Sequence, residues 1–253
     1  MNLKHAAYRT ISKASRLFSN TEAPAGLRVL LYHSVGGVLK SDPLGTSITE
    51  KMFRSHIERY ETLRSLFPEA PFGATETPAA AFAFDDGYRD TLTIAAPILA
   101  ERKIPFIVFV TADHIDDASG LYLSKAELLE LSGIPGATIG AHGDRHQALT
   151  GLDDTALKAN LDRSRQRLQD WLGKPITTMS YPFGAVDRRV RDAAHSAGFT
   201  TAGCSLYGSN TLNRDPLLLK RTEIVAWDDS DDFESKLRGY WDWFSLRQGD
   251  PAS

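Results

Sequence analysis

The stretch Ala79-Ala-Ala-Phe-Ala-Phe-Asp-Asp-Gly87 is an apolar strand that runs directly into two adjacent carboxylates. Burying two negative charges together is expensive without a cation. Gly87 permits a tight backbone turn behind them, and the two side chains need not point the same way. One can coordinate a metal while the other works as a general base.

Working outward, the same pattern of strand followed by polar residue recurs. Strand-like runs lie at Leu27–Tyr32, Ala80–Phe84, Pro105–Thr111, Thr138–Ala141, Ile176–Tyr181, Thr200–Ser205 and Leu217–Thr222. Helical patterns alternate with them near Thr49–Leu66, Asp90–Arg102, Ser124–Leu131, Thr155–Leu172 and Asp187–Ala197, with a last helix expected over Asp231–Phe244. The segments Pro68–Pro78 and Asn210–Pro216 read as surface loops. Alternation of this kind is α/β architecture with a parallel sheet. No Gly-rich dinucleotide fingerprint follows any strand, so a closed barrel of about seven βα units fits better than an open sheet. In such a barrel the C-terminal strand ends share one face, where active sites are built. His33 follows the first strand, Asp85 and Asp86 the second, His142 and His146 the fourth, and Tyr181-Pro-Phe-Gly184 the fifth, while Arg221 ends the seventh. Five segments therefore aim polar chemistry at one mouth.

The spacing of His142 and His146 suits one side of a helical turn, from which two imidazoles grip one ion. With Asp86 they make a three-ligand set suited to Zn²⁺ or another divalent ion. Three protein ligands leave a position for water, as in catalytic sites.

Composition narrows the function. The chain has 253 residues, 42% hydrophobic and 24% charged, which is ordinary globular composition and argues against wholesale disorder. A net charge of -3 gives no electrostatic reason to expect nucleic acid as a partner. The single Cys204 excludes an intramolecular disulfide and a multi-cysteine zinc site, and its apolar surroundings mark it as a core filler. No run approaches the ~20 apolar residues of a membrane span. Residues 1–24 read as an N-terminal basic amphipathic helix ahead of one domain over 25–253. Residues 1–20 have no apolar signal region, so the expected location is cytoplasmic. That helix either packs on the domain or grips anionic lipid weakly at the inner membrane surface.

Phe84-Asp-Asp-Gly87, His142-Gly-Asp-Arg-His146 and Tyr181-Pro-Phe-Gly184 resemble the motifs of the polysaccharide deacetylases, the NodB-homology family of carbohydrate esterases. The resemblance runs from about Leu27 to Arg221 and implies a distorted (β/α)7 barrel of the NodB-homology type. It implies Asp85 as catalytic base, Asp86, His142 and His146 as metal ligands, and the backbone N–H of Phe183 as an oxyanion donor. Departures accompany it: Ala83 replaces a usual Thr, Gly143 a usual Ser or Thr, and Ser180 a usual Arg that orients the base. No late Leu-x-His motif supplies the family's general acid. Leu31-Tyr-His33-Ser-Val35 resembles the opening segment of the exopolysaccharide, or biofilm-type, branch, whose acid histidine comes from the first strand. That resemblance gives His33 the acid role, against a core histidine capping a strand end. Arg221 stands either as a substitute for the missing Arg or as an ordinary surface salt bridge. His5, His56, His114 and His195 match no motif and read as structural or solvated.

The expected reaction is metal-dependent removal of N-acetyl groups from amino sugars of a polysaccharide or oligosaccharide, with Zn²⁺ the expected cofactor and a glycan the expected partner. Two alternatives stand beside it. One is the same hydrolysis on a nucleotide- or lipid-linked sugar or a small amide; the other is an inactive carbohydrate-binding barrel.

Overall fold

A computed structural model of the chain describes residues 8–12, 14–15, 23–37, 39 and 42–249. Three fully buried strands, apolar except for Arg28, build its centre: β1 (Leu27–Tyr32), β2 (Ala79–Phe84) and β3 (Phe106–Val110). They are joined by β4 (Ala137–Ala141), β5 (Thr178–Ser180) and β6 (Thr201–Gly203), in spatial order β6-β5-β4-β3-β2-β1, every neighbouring pair parallel. A strand's side chains alternate between faces, and the core divides accordingly. Leu27, Val29, Ala79, Ala81, Ala83, Ile107 and Phe109 form the barrel interior with Phe72, while Leu30, Tyr32, Phe82, Phe84, Phe106 and Val108 pack outward against the helices.

Those helices are α1 (Glu50–Leu63), α2 (Ala96–Glu101), α3 (Lys125–Ser132), α4 (Asp154–Leu172), α5 (Arg188–Ser196) and α6 (Ser230–Leu237). Side-chain caps at Thr49, Ser124, Asp153, Asp187 and Asp229 start five of them by satisfying amide groups that lack an intrahelical acceptor. The expected helix over Asp90–Arg102 opens instead as a π-helical turn, Thr91–Ala95. The expected helix over Asp231–Phe244 is broken at Gly239 (φ 80) and resumes as a 3-10 segment, Asp242–Arg247. A Cβ on Gly239 would meet the Arg28 guanidinium at 2.7 Å. The break carries Asp242 onto Arg28, 2.6 Å away.

Closure of the barrel is irregular. Leu219 bridges to Gly203 at the end of β6, and β8 (Thr222–Glu223) pairs in parallel with β1. Residues 219–223 thus span from β6 to β1. A short strand, β7 (Ser209–Asn210), runs antiparallel to the start of β1, in a stretch partly expected to be loop.

The register of β1 against β2 positions the rim. Leu27 lies opposite Ala79 and Tyr32 opposite Phe84, so the two strands end level. His33 and Asp85 therefore leave the sheet side by side, and the Asp85 N–H donates to the Tyr32 carbonyl at 3.0 Å.

Much of the expected 1–24 helix lies outside the described residues. Residues 8–12, 14 and 15 are helical. Tyr8 packs edge-on against Trp243 and Phe244, and Arg9 pairs with Asp229 and Asp232 of the α6 capping turn. Among the described residues, no helix is long and apolar enough to cross a membrane.

Candidate active site

Several strand ends each deliver a part of the site. Asp85 and Asp86 follow β2 and are nearly inaccessible, at 2% and 6% exposure. Asp86 holds φ 72, a left-handed conformation that is uncommon for a residue with a side chain. That turn sends the two carboxylates in different directions.

Asp86 Oδ1 lies 3.3 Å from His142 Nε2 and 3.2 Å from His146 Nε2. The three side chains offer ligand atoms all within 4.8 Å of one another. His142 Nδ1 lies 3.0 Å from the Ser180 carbonyl, an acceptor, which makes Nδ1 the donor and turns the Nε2 lone pair toward Asp86 in the neutral ring. Burial lowers this imidazole, but without an ion Asp85 and Asp86 outweigh it and raise the group above its ordinary value. Asp86 Oδ1 is itself buried without a hydrogen-bond partner. Converging acceptors around an orphaned carboxylate oxygen suit a bound cation, so the residues present fit a divalent ion.

The loop carrying both histidines departs from expectation. Residues 142–148 are irregular, with bends at 144–147 rather than a helical turn. Gly143 has φ 77, and a Cβ there would meet the Arg145 carbonyl at 3.1 Å and Asn160 Oδ1 at 3.2 Å. The backbone leaves helical geometry at once, yet His146 is carried back over Asp86. Asn160 Oδ1 accepts from the Asp144 N–H, and Asp144 pairs with Arg163 and Arg167 of α4, which fixes the loop.

Asp85 turns to the other side. Its Oδ1 accepts from Arg221 Nη1 at 2.7 Å and from Ser180 Oγ at 3.1 Å. Its Oδ2 is 3.9 Å from His142 Nε2. Arg221 is 0% exposed, so the pair is not a surface salt bridge. Its Nε donates to the Cys204 carbonyl, and the guanidinium lies over the Phe109 ring. Burial pushes the Asp85 carboxyl up, but Arg221, His142 and His33 together outweigh it and hold the group below its ordinary value. Burial likewise raises Asp86, and His142, His33 and His146 hold it well below the carboxylate range. Burial outweighs the attraction of Asp86 at His146 and keeps that imidazole below its ordinary value, toward the neutral form that binds metals.

His33 lies close enough to both acids for a proton on its ring to favour their ionised forms, and its Nδ1 is buried without a hydrogen-bond partner. Phe183 sits at φ 60 with its ring 4.4 Å from that of His146 and 63% exposed.

Two contributors are not marked as site residues by the sequence. Ser180, notable there only for replacing an Arg, touches both Asp85 and His142. His114, which reads as structural or solvated, places Nδ1 3.3 Å from the Asp86 carbonyl, stacks on Tyr122 at 3.9 Å and lies 5.6 Å from His146. Its position after β3, a strand end without an assigned residue, is the available signal. His56 is a core residue, stacked on Phe233 at 5.1 Å.

A barrel of parallel strands whose C-terminal rim gathers two acids and two histidines presents a candidate ion site beside a second carboxylate. Residues 72–202, just over half of the chain, match the family model described as polysaccharide deacetylase, and the chain belongs to that family. It is 23% identical over 212 residues to YxkH of Bacillus subtilis (strain 168), a protein named for the same family, covering 81% of this chain and 73% of the relative. Chitin deacetylase 1 of Cryptococcus neoformans is 31% identical over 134 residues, 52% of this chain and 27% of the relative. Among solved structures, IcaB from Ammonifex degensii superposes with a TM-score of 0.65 at 20% identity, covering 88% of this chain and 100% of that one. Members of the family, chitin deacetylase among them, are hydrolases acting on carbon–nitrogen bonds. The matched residues include both acids, both histidines and Phe183, whereas His33 and Arg221 lie outside them.

Proposed function

We propose that this chain removes N-acetyl groups from amino-sugar residues of a glycan in a divalent-metal-dependent hydrolysis. The observation that carries the reading is the division of labour between neighbouring acids: Asp86 faces two imidazoles, and Asp85 faces a guanidinium and a hydroxyl. Asp86, His142 and His146 would hold the ion, and a His₂Asp set favours Zn²⁺. Such an ion supplies Lewis acidity and lowers the pKa of water from 15.7 toward about 7.

The chain's own groups do the remaining work. Asp85, kept ionised by Arg221, accepts the proton of the attacking water. The Phe183 backbone N–H donates to the developing oxyanion, a contact whose loss can cost ~10²–10³ in rate. His33 delivers a proton to the departing amine, a contribution on the order of 10²–10⁴. Acetate and a free amino sugar leave. The names of chitin deacetylase 1 and of the other family members support the substrate class.

Acetate release from N-acetylglucosamine oligomers, measured after loading with Zn²⁺ and again after chelation, tests the proposal. Release that stops on chelation and returns with Zn²⁺ is expected. Release insensitive to chelation would overturn the metal dependence, and no release with any metal would overturn the activity.

A further inference from the structure

Asp90 follows Gly87 in the turn that leads from the paired acids into the π-helical stretch, and it is buried. We infer that Asp90 is a positioning residue for His33: it ties the chain leaving β1 to the chain leaving β2 and so sets the acid against the base. This inference rests on the reading of His33 as proton donor and names what holds it in place.

The contacts run to the residues directly after His33. Asp90 Oδ2 accepts from Ser34 Oγ at 2.5 Å and from the Gly36 N–H at 2.9 Å. The Val35 N–H donates to the same carboxylate. Ser34 is itself fully buried, so water does not compete for its hydroxyl. Three donors from successive residues on one carboxylate define the path of that backbone, in the manner of a side-chain cap.

Both ends of the tie are braced. Ser34 bridges to Ser47, with their hydroxyl oxygens 3.0 Å apart, and the Ile48 N–H donates to the Ser34 carbonyl at 3.0 Å. On the other side, the Leu123 N–H donates to the Gly87 carbonyl at 3.0 Å and the Arg89 N–H to the Leu121 carbonyl at 2.8 Å. Asp90 thus joins two anchored segments rather than two free loops.

His33 needs such a hold. Its Nδ1 is buried with no hydrogen-bond partner, so the ring is aimed by the backbone that carries it. An acid acts only within hydrogen-bond reach of the atom it protonates, and a misplacement of about 1 Å can cost ~10²-fold in rate. Asp90 Oδ1 is likewise buried without a partner, an unfavourable arrangement that a merely space-filling residue would avoid. The base side of the tie is short: Asp85, Asp86 and Asp90 belong to one turn, so a shift at Asp90 changes the spacing of His33 from both acids.

The test reads kcat, KM and zinc content of the Zn²⁺-loaded chain on N-acetylglucosamine oligomers, with ¹⁵N-histidine NMR to follow the rings. The His33 signals are those missing from His33→Ala. Asp90→Ala should lower kcat by about ten-fold or more, leave KM and zinc within about two-fold of the parent, and displace the His33 signals while those of His142 and His146 stay. Asp90→Asn keeps an acceptor oxygen for Ser34 and Gly36, and it should hold kcat within about three-fold with the His33 signals in place. Ser34→Ala removes one donor without touching Asp90 and should move the same signals, so the comparison stands even where Asp90→Ala fails to fold. His33 signals unmoved in the folded variants, or a loss in Asp90→Asn equal to that in Asp90→Ala, overturns the inference. A parent-level kcat in His33→Ala overturns the acid reading on which it rests.

Discussion

Arg221 Nη1 donates to Asp85 Oδ1 at 2.7 Å, an ion pair with both partners buried and 136 residues apart in sequence. It exists because residues 219–223 close the barrel between β6 and β1. The guanidinium compensates the burial of the carboxylate, and removing one partner of such a pair costs ~3–5 kcal/mol. It also sets the protonation state of the proposed base.

Arg221→Met is therefore expected to shift the acid limb of the pH profile. Asp85 is held below its ordinary value against the upward push of burial. A depressed carboxyl contributes stability and activity above its unfolded pKa, and loses both as pH falls through its folded pKa. Without the guanidinium, burial dominates and the folded pKa rises, so the acid limb of kcat/KM moves to higher pH. An acid limb unchanged in a folded, metal-loaded variant would count against the pairing.

Gly143→Ser restores the residue type the family motif usually carries, yet it should destabilise this chain. At φ 77, with a Cβ 3.1 Å from the Arg145 carbonyl, a side chain adds strain of ~1–3 kcal/mol. Denaturant titration should show that loss; equal stability would mean the loop relaxes freely.

His146→Ala should reduce zinc from about one ion per chain to a small fraction, because two ligands remain from three. Elemental analysis after gel filtration reads this directly. Full occupancy in the variant would remove His146 from the ligand set.

His33→Ala should lower kcat by ~10²–10⁴ and leave zinc content unchanged, since Asp86, His142 and His146 would hold the ion without it. It should also flatten the alkaline limb of the profile, where the acid loses its proton. Loss of zinc in this variant would make His33 a ligand rather than an acid.

The parts legible in sequence are those whose signal is local. Strands β1 to β3 are apolar runs, and the structure has β1 at Leu27–Tyr32 as expected. The Asp–Asp–Gly and His-x₃-His motifs mark the rim by position. The illegible parts depend on distant partners. Ser209 and Asn210 are polar and form a strand only because β1 lies alongside. The last helix ends before Gly239, whose left-handed φ stops it, and Arg28 occupies the space a side chain there would need. Ser180 reads as a loss until the closed barrel shows its hydroxyl on Asp85, with Arg221 approaching from the far side. The His142–His146 spacing suggests a helix, and only the φ of Gly143 shows that a bent loop achieves the same convergence.

The most direct measurement is zinc content and acetate release on one preparation of Asp85→Asn. Asp86 serves the ion and Asp85 the proton in the proposed division. The variant should retain about one zinc per chain and release no acetate from N-acetylglucosamine oligomers, because an amide cannot accept the proton of water. Loss of zinc together with activity, or turnover close to that of the parent, would contradict that division.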